Sequence, residues 1–270
     1  MKKQFRAFLA LFALMVCLSC GLAAPAQAVG LPHAEAVQDS FGYSDSTRNL
    51  IDNIWIALTN YGGPYYCAQA PQRSAAQTPG STPEDGAVAL LHLYVQANLN
   101  DNLISINGHS INISGHAFLV VENVSDTEQT AGGLTLAPGT TISLGTYSNT
   151  EEHTGIWYGL EGFLDTNNNY KYSNCIGLQT SLSAEQLAVL NQNLARADHW
   201  SAVYNCASFA QEMWNSVCAD TVDAAFPYSP ATLKADVMTR YPDLYSDCLP
   251  LRCDYAVLYS PALIPSVEFC

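Results

Sequence analysis

Charge is scarce in this chain, and positive charge is scarcest. Asp, Glu, Lys and Arg make up 13% of the 270 residues, and ten Lys and Arg face 24 Asp and Glu for a formal net charge of −14. Neutralising a phosphate backbone takes clustered lysines and arginines, so nucleic acid is excluded as an expected partner. Past residue 28 no stretch approaches the eighteen or so uninterrupted apolar residues of a membrane helix. Catalytic and nucleotide-binding signatures are missing too. There is no HExxH, GxSxG, GxGxxG or GxxxxGK[ST], and the one CxxC, Cys17 to Cys20, lies at the extreme N-terminus. Zinc hydrolase, serine hydrolase, dinucleotide and NTP readings therefore lack support, and neither a metal nor a cofactor is expected. Asp165-Thr166-Asn167-Asn168-Asn169 opens like a calcium loop. Tyr170 stands where that loop needs Gly and Ile176 where it needs Glu, so a turn is expected instead.

What is present is enough apolar material, 49% of residues, to close a core. Lys2, Lys3 and Arg6, the apolar run from Ala7 to Leu18, and Ala26-Gln27-Ala28 have the order of a secretory signal peptide over residues 1–28. A secreted or periplasmic protein is expected, with no integral membrane segment once the signal is removed. Lipid anchoring through Cys20 fits poorly, because Cys17 and Leu18 occupy positions where a lipobox wants an aliphatic and a small residue. Removing the signal takes three cations and no acid, which leaves the mature chain more acidic still.

Seven cysteines remain after the signal: Cys67, Cys175, Cys206, Cys218, Cys248, Cys253 and Cys270. In an oxidising compartment the economical expectation is three disulfides and one free thiol, and a thiol left free needs a reason.

The pattern along the chain is that of one α+β domain. Leu50, Ile51, Ile54, Trp55 and Leu58 recur at helical spacing between Ser46 and Tyr61, and a second helix is expected from Ala87 to Leu99, after an exposed loop from Ala68 to Gly86. The period then changes to two. Ile104 and Ile106 alternate with Ile111 and Ile113 around Asn107-Gly108, a hairpin signal. Strands are expected at Ala117 to Val121, Thr140 to Tyr147, between Gly155 and Leu164, and around Tyr170 to Ile176, with a loop from Ser125 to Gly133; together they imply a small antiparallel sheet. Helices return where Ser183 and Gln186 form a capping box, and again at Asn205 or Cys206 through Val217. The tail from Ala219, with six prolines after Phe226, reads as a disulfide-held wrap with short helical pieces near Ala231 to Met238. The divisions are a leading helical and loop region at 29–106, a core at 107–240 and a Cys/Pro-rich wrap at 241–270.

Within this frame one cysteine stands out. Asn205 is a strong N-cap, which puts Cys206 in the first turn of the following helix, where free backbone N–H groups and the helix dipole favour a thiolate. Cys206, Ala210, Met213 and Val217 share a face, so the thiol points toward whatever the helix packs on. On the strand after Gly115, His116, Phe118 and Val120 share a face by period two, and a histidine facing a helix-start cysteine is the base such a nucleophile needs. His33, His92, His109, His153 and His199 are accounted for by surface or turn positions. Phe118, Trp157, Tyr158 and Trp214 could line a cleft, with core packing the simpler role for Phe118 and Trp214.

Gly115-His116-Ala117-Phe118-Leu119 followed at a distance by Asn205-Cys206-Ala207-Ser208-Phe209-Ala210 resembles the circularly permuted papain-like group. That group includes NlpC-type cell-wall amidases and peptidases and lecithin:retinol acyltransferase-like proteins. Leu144-Gly145-Thr146-Tyr147, Gly155-Ile156-Trp157-Tyr158-Gly159-Leu160-Glu161 and Ser229-Pro230-Ala231-Thr232-Leu233 resemble segments of secreted bacterial effector domains of that kind. The resemblance covers about Asn107 to Met238. It implies an antiparallel sheet packed against the cysteine-bearing helix, with Cys206 as nucleophile and His116 as base. A third residue should orient the imidazole; Glu161 is favoured, with Thr146 and Ser143 as alternatives, and the oxyanion would be held by the N–H of Cys206 and one neighbour. The expected activity is a cysteine hydrolase cleaving an amide bond, in cell-wall peptide first and in a foreign protein second. Acyl transfer on the same fold, or a non-catalytic disulfide-stabilised binding protein, are the alternatives. No immunity or carrier partner can be read from the chain.

Overall fold

The computed structural model describes residues 67–97, 104–106, 109–111, 115–148, 154–167, 172, 175–198, 200, 204–225, 228–255, 257–259 and 264–265. The expected signal segment 1–28, the helix at 46–61, Cys270, and His33, His153 and His199 lie outside them.

The strands are β1 (Ala76–Gln77), β2 (Ala89–Gln96), β3 (Ile104–Ile106), β4 (His109–Ile111), β5 (His116–Asn123), β6 (Gln129–Ala131), β7 (Leu134–Leu136), β8 (Thr141–Ser148), β9 (Thr154–Tyr158), β10 (Cys175–Leu182), β11 (Ser246–Asp247), β12 (Leu258–Tyr259) and β13 (Ile264–Pro265). The helices are α1 (Leu160–Asn167), α2 (Ala184–Leu194), α3 (Cys206–Val217) and α4 (Pro230–Arg240). One nine-stranded sheet runs β1-β10-β2-β5-β8-β9-β12-β13, with β11 also on β10, and every named pairing in it is antiparallel. The fold is α+β. β3 and β4 form the hairpin expected around Asn107-Gly108.

The expected helix from Ala87 to Leu99 is instead β2, an interior strand of the sheet between β10 and β5. From Ala89 to Val95 every residue is buried. A strand covered on both faces loses its polar alternation, and its apolar run then imitates a helical pattern. With β2 inside the sheet, the leading region is not merely packed on a core that starts at 107; it supplies one of the core's interior strands. The Ala68 to Gly86 segment is likewise more than an exposed loop, since Ala70 and Ala76 are buried and β1 pairs with β10. The Ser125 to Gly133 loop contains β6, which turns at Gly132-Gly133 into β7. Asp165-Thr166-Asn167 closes α1 rather than forming a turn.

The sheet has two dressed faces. On one, Leu91, Leu93, Leu119, Val121, Ile142 and Leu144 meet Leu187 and Leu190 of α2 and Phe209, Met213 and Trp214 of α3 in the largest core. On the other, Tyr94, Phe118, Val120, Tyr172 and Cys175 form a second cluster under Cys248, Leu249 and Leu251 of the tail. Trp157, Leu160, Phe163, Leu164 and Val257 form a third, around α1. Helix starts are chemically marked: Ser183 and Gln186 form the expected capping box of α2, and Ser229 with Thr232 and Pro230 start α4.

The tail is held as a wrap. Cys248 is bridged to Cys175 on β10, β11 pairs antiparallel with that strand, and Asp254 accepts a hydrogen bond from the Thr141 N–H at 2.8 Å. Cys253 is also disulfide-bonded. Three thiols rather than one are free among the described residues: Cys67, Cys206 and Cys218. Cys218 is fully buried and Cys67 packs on the same core, so both serve as small apolar side chains, a common fate of unpaired cysteine.

The Cys175–Cys248 bridge closes a 73-residue separation. Replacing both cysteines with serine is expected to lower unfolding free energy by about 2–4 kcal/mol, read as a lower denaturant midpoint. An unchanged midpoint would show that the tail is held without the bridge.

Candidate active site

His116 opens β5, where the chain enters the strand through Gly115 at φ 114°. A side chain at Gly115 would run into the Gln96 carbonyl and lie 3.1 Å from Ala97 Cα, so the tight turn into the strand depends on glycine. β5 pairs with β2 along its whole length, with His116 opposite Gln96. Its pairing with β8 stops at Leu119 opposite Leu144, whereas both strands run on beyond that point.

Cys206 begins α3, as expected. Asn205 caps the helix by accepting hydrogen bonds from the N–H groups of Ala207 at 2.9 Å and Ser208 at 3.4 Å, and its own amide donates to the Tyr228 carbonyl at 2.7 Å. The cap is thereby tied to the segment that starts α4. Ala210, Met213 and Val217 on the Cys206 face are completely buried while Cys206 itself is half-buried, so the helix is anchored along its length and its thiol end stays accessible.

The two residues meet, though not by the route the period-two pattern implies. α3 packs on the face carrying Ala117, Leu119 and Val121, while Phe118 and Val120 belong to the opposite face, under the tail. His116 nevertheless forms a side-chain hydrogen bond with Cys206. It does so at the end of β5, past the point where the β5–β8 ladder has stopped, where position along the strand matters more than facing.

Of the three residues expected to orient the imidazole, Glu161 is the one that meets it. It sits in the first turn of α1, is wholly buried, and its Oε1 lies 2.9 Å from His116 Nε2. With Nε2 engaged there, Nδ1 is the ring nitrogen left for the Cys206 sulfur. Tyr147 donates its hydroxyl to the same Oε1 at 2.7 Å, and Glu161 Oε2 is buried with no hydrogen-bond partner among the described residues. The alternatives have other positions: Ser143 Oγ accepts from the Gly162 N–H at 3.5 Å, and Thr146 Oγ1 is buried without a hydrogen-bond partner among the described residues.

One face of β8 builds this cradle by period two. Ser143 touches the backbone of the first turn of α1, Gly145 leaves room for the carboxylate and the imidazole, and Tyr147 bonds the carboxylate. A methyl group at position 145 would overlap Glu161 Oε1 and lie 2.8 Å from His116 Nε2. The imidazole is also walled by rings, with centroids at 5.4 Å for Phe118, nearly parallel at 16°, and 4.5 Å for Tyr147. Gly145 and Tyr147 were not singled out as site residues by pattern. The alternation of Ile142 and Leu144 was the available signal, because it puts Ser143, Gly145 and Tyr147 together on the other side.

Burial by itself would push the His116 imidazole toward the neutral form. Hydrogen bonds to Cys206 and Glu161, with the attraction of their charges, outweigh it and raise its pKa to about 9. A folded-state value above the ordinary 6.5 means that the stabilisation is complete below about 6.5 and is lost as pH rises through about 9. Burial pushes the thiols of Cys67 and Cys218 up to about 12, which disfavours the reactive thiolate at both.

The remaining assignments resolve into structure. His92 is buried on β2, not at the surface, with Nε2 3.6 Å from Glu122 Oε2 on β5. His109 lies in β4. Phe118, Trp157, Tyr158 and Trp214 are all buried, Phe118 beside the imidazole, Trp157 with α1, and Tyr158 and Trp214 in the largest core. Among the described residues no group of three or more His, Cys, Asp and Glu is placed to hold a metal ion, and no helix is long and apolar enough to cross a membrane. No family model, curated protein or solved structure matches the chain.

Two outcomes follow from this geometry. NMR titration of the His116 ring should give a midpoint near 9, and Cys206→Ala should lower it by removing the partner that raises it most; a midpoint that ignores the substitution would separate the two residues. Gly145→Ala should reduce alkylation of Cys206 by about tenfold or more, the size expected of a misplaced reacting group. Because the added methyl meets side-chain ends, its cost to folding should stay near 1–3 kcal/mol. Full alkylation rate in that variant would show that the cradle tolerates bulk.

Proposed function

We propose that this protein is a cysteine hydrolase that cleaves an amide bond, with Cys206 as nucleophile, His116 as acid and base and Glu161 as the group that orients the imidazole. The observation that carries the reading is the chain of contacts from Cys206 through His116 to a wholly buried Glu161. A cysteine at a helix start, a base within reach and a third group fixing that base is the arrangement an activated thiol requires. A strand histidine preceding a helix-start cysteine in chain order, on an antiparallel sheet with α3 against it, also supports the permuted papain-like reading.

In the first half-reaction the Cys206 sulfur attacks the carbonyl carbon and the imidazolium passes its proton to the nitrogen as the C–N bond breaks. The amine leaves and a thioester remains. Water then attacks the thioester carbonyl, His116 takes the water's proton, and collapse releases the acid and restores the Cys206 sulfur. Glu161 keeps the imidazole aimed through both halves and offsets its charge. For the oxyanion, the Ala207 and Ser208 N–H groups are already held by Asn205 Oδ1. The Cys206 N–H is the first-turn donor that the cap does not use, so the neighbouring donor must come from outside α3's first turn.

For substrate class, the proposal is the peptide of a cell wall, reached after export under the N-terminal signal, with a foreign protein as the second choice. A strongly acidic protein is repelled by anionic wall polymers, which favours the peptide part of a thin peptidoglycan. Purified sacculi incubated with the protein should release new amino groups, and Cys206→Ala and His116→Ala should each abolish that release while the melting temperature stays within a few degrees. Sacculi left intact while a protein substrate is cut in a Cys206-dependent way would move the assignment to an effector protease. Turnover surviving in either variant would remove that residue from the mechanism.

A further inference from the structure

The site's hydrogen bonding does not end at Glu161. The buried Tyr147 hydroxyl donates to Glu161 Oε1, the same oxygen that His116 Nε2 meets, and Tyr147 also has a side-chain hydrogen bond with Tyr172. Its ring lies 4.5 Å from the imidazole centroid and is tilted by 33°, so one residue touches both members of the pair. The Tyr172 ring lies 6.5 Å from the imidazole, centroid to centroid. Glu161 Oε2 has no hydrogen-bond partner among the described residues, which leaves Oε1 as the sole point at which the carboxylate is held.

We propose, resting on the cysteine hydrolase reading, that Tyr147 is a positioning residue of the catalytic site, whose hydroxyl fixes Glu161 and whose ring fixes the plane of His116. A buried carboxylate with a single hydrogen-bonded oxygen can rotate about its terminal torsion unless a second donor holds it, and here that donor is the tyrosine. The hydroxyl also shares the charge of Oε1 with the imidazolium. Hydrogen bonds to a charged group at a buried site are among the stronger ones, so its loss should be felt at His116 through the carboxylate. Burial pushes the Tyr147 hydroxyl well above its ordinary range, with the Glu161 charge adding to it, so the proton stays on the tyrosine and the hydroxyl remains a donor throughout the working pH range. Among the described residues, the charged and titratable groups that meet at His116 are Glu161 from α1, Cys206 from α3, Tyr147 from β8 and Tyr172.

The test is Tyr147→Phe, which keeps the ring and removes the hydroxyl, alone and combined with Glu161→Gln. With Oε1 left to the imidazolium alone, the NMR midpoint of His116 should rise by roughly half a pH unit or more in the single variant. With a peptide amide substrate, kcat should fall by about tenfold while KM is nearly unchanged, because orientation and not binding is lost. In the Glu161→Gln background the same tyrosine substitution should have little further effect on either quantity. An unchanged His116 midpoint in Tyr147→Phe, or an equal shift in the Glu161→Gln background, would overturn the proposal. The titration needs no substrate, so a parent protein without amidase activity whose His116 still responds to Tyr147 would sink the functional reading and leave the positioning role standing.

Discussion

A carboxylate with no solvent exposure is the constraint around which this site is organised. Burying Glu161 without a charged partner would carry a penalty of several kcal/mol, and the imidazolium of His116 offsets it at a separation of 2.9 Å. The dependence runs both ways, since the same contact, with that of Cys206, keeps a buried imidazole protonated. Around this pair the surroundings are shaped for it: Gly145 gives up a side chain, Tyr147 supplies a hydroxyl, and Ser143 meets the backbone of the helix that delivers Glu161. Each neighbour makes sense only in terms of the charge pair.

The sheet places the pair by bringing together segments far apart in the chain. β5 is clamped to β2 along its full length and to β8 only along its later half, which leaves His116 at an open corner. α3 is anchored on the opposite face by Phe209, Met213 and Trp214, and its first residue reaches that corner. α1 comes from the remaining side, immediately after β9. Cys206, His116 and Glu161 thus stand on three separately packed elements, and the burial that holds those elements also sets the precision of the contacts between them.

How legible this was varied with the physical range of each determinant. α3 could be placed to the residue because Asn205 is a short-range signal, acting within one turn. The capping box of α2 and the hairpin strands around Asn107-Gly108 are equally local. β2 was misread because burial on both faces removed the alternation that marks a strand, and that burial is supplied by β10, β5 and the layers above and below them. Of the stretch from Gly155 to Leu164, where a strand was expected, β9 takes the first part, but α1 follows it unannounced, since its eight residues are brief enough for tertiary packing to override propensity. The cysteine count predicted a single free thiol, but Cys67 and Cys218 are absorbed by the core, a fate that spacing cannot signal.

The residue types alone were sufficient to choose the antiparallel α+β class and the start of the cysteine helix, because caps, turns and period-two alternation act over a few residues; they named Cys206 and His116 together, but on a facing that the sheet does not have. They ranked Glu161 only slightly above Ser143 and Thr146, and said nothing of Tyr147. Which oxygen meets Nε2, which side of the sheet α3 covers, and which strand leaves a gap for the carboxylate were decided by tertiary structure. Each of these depends on contacts between residues 14 to 90 positions apart, such as Tyr147 with Glu161, His116 with Glu161, and His116 with Cys206, and a distance across a folded core is not encoded in any local stretch of chain.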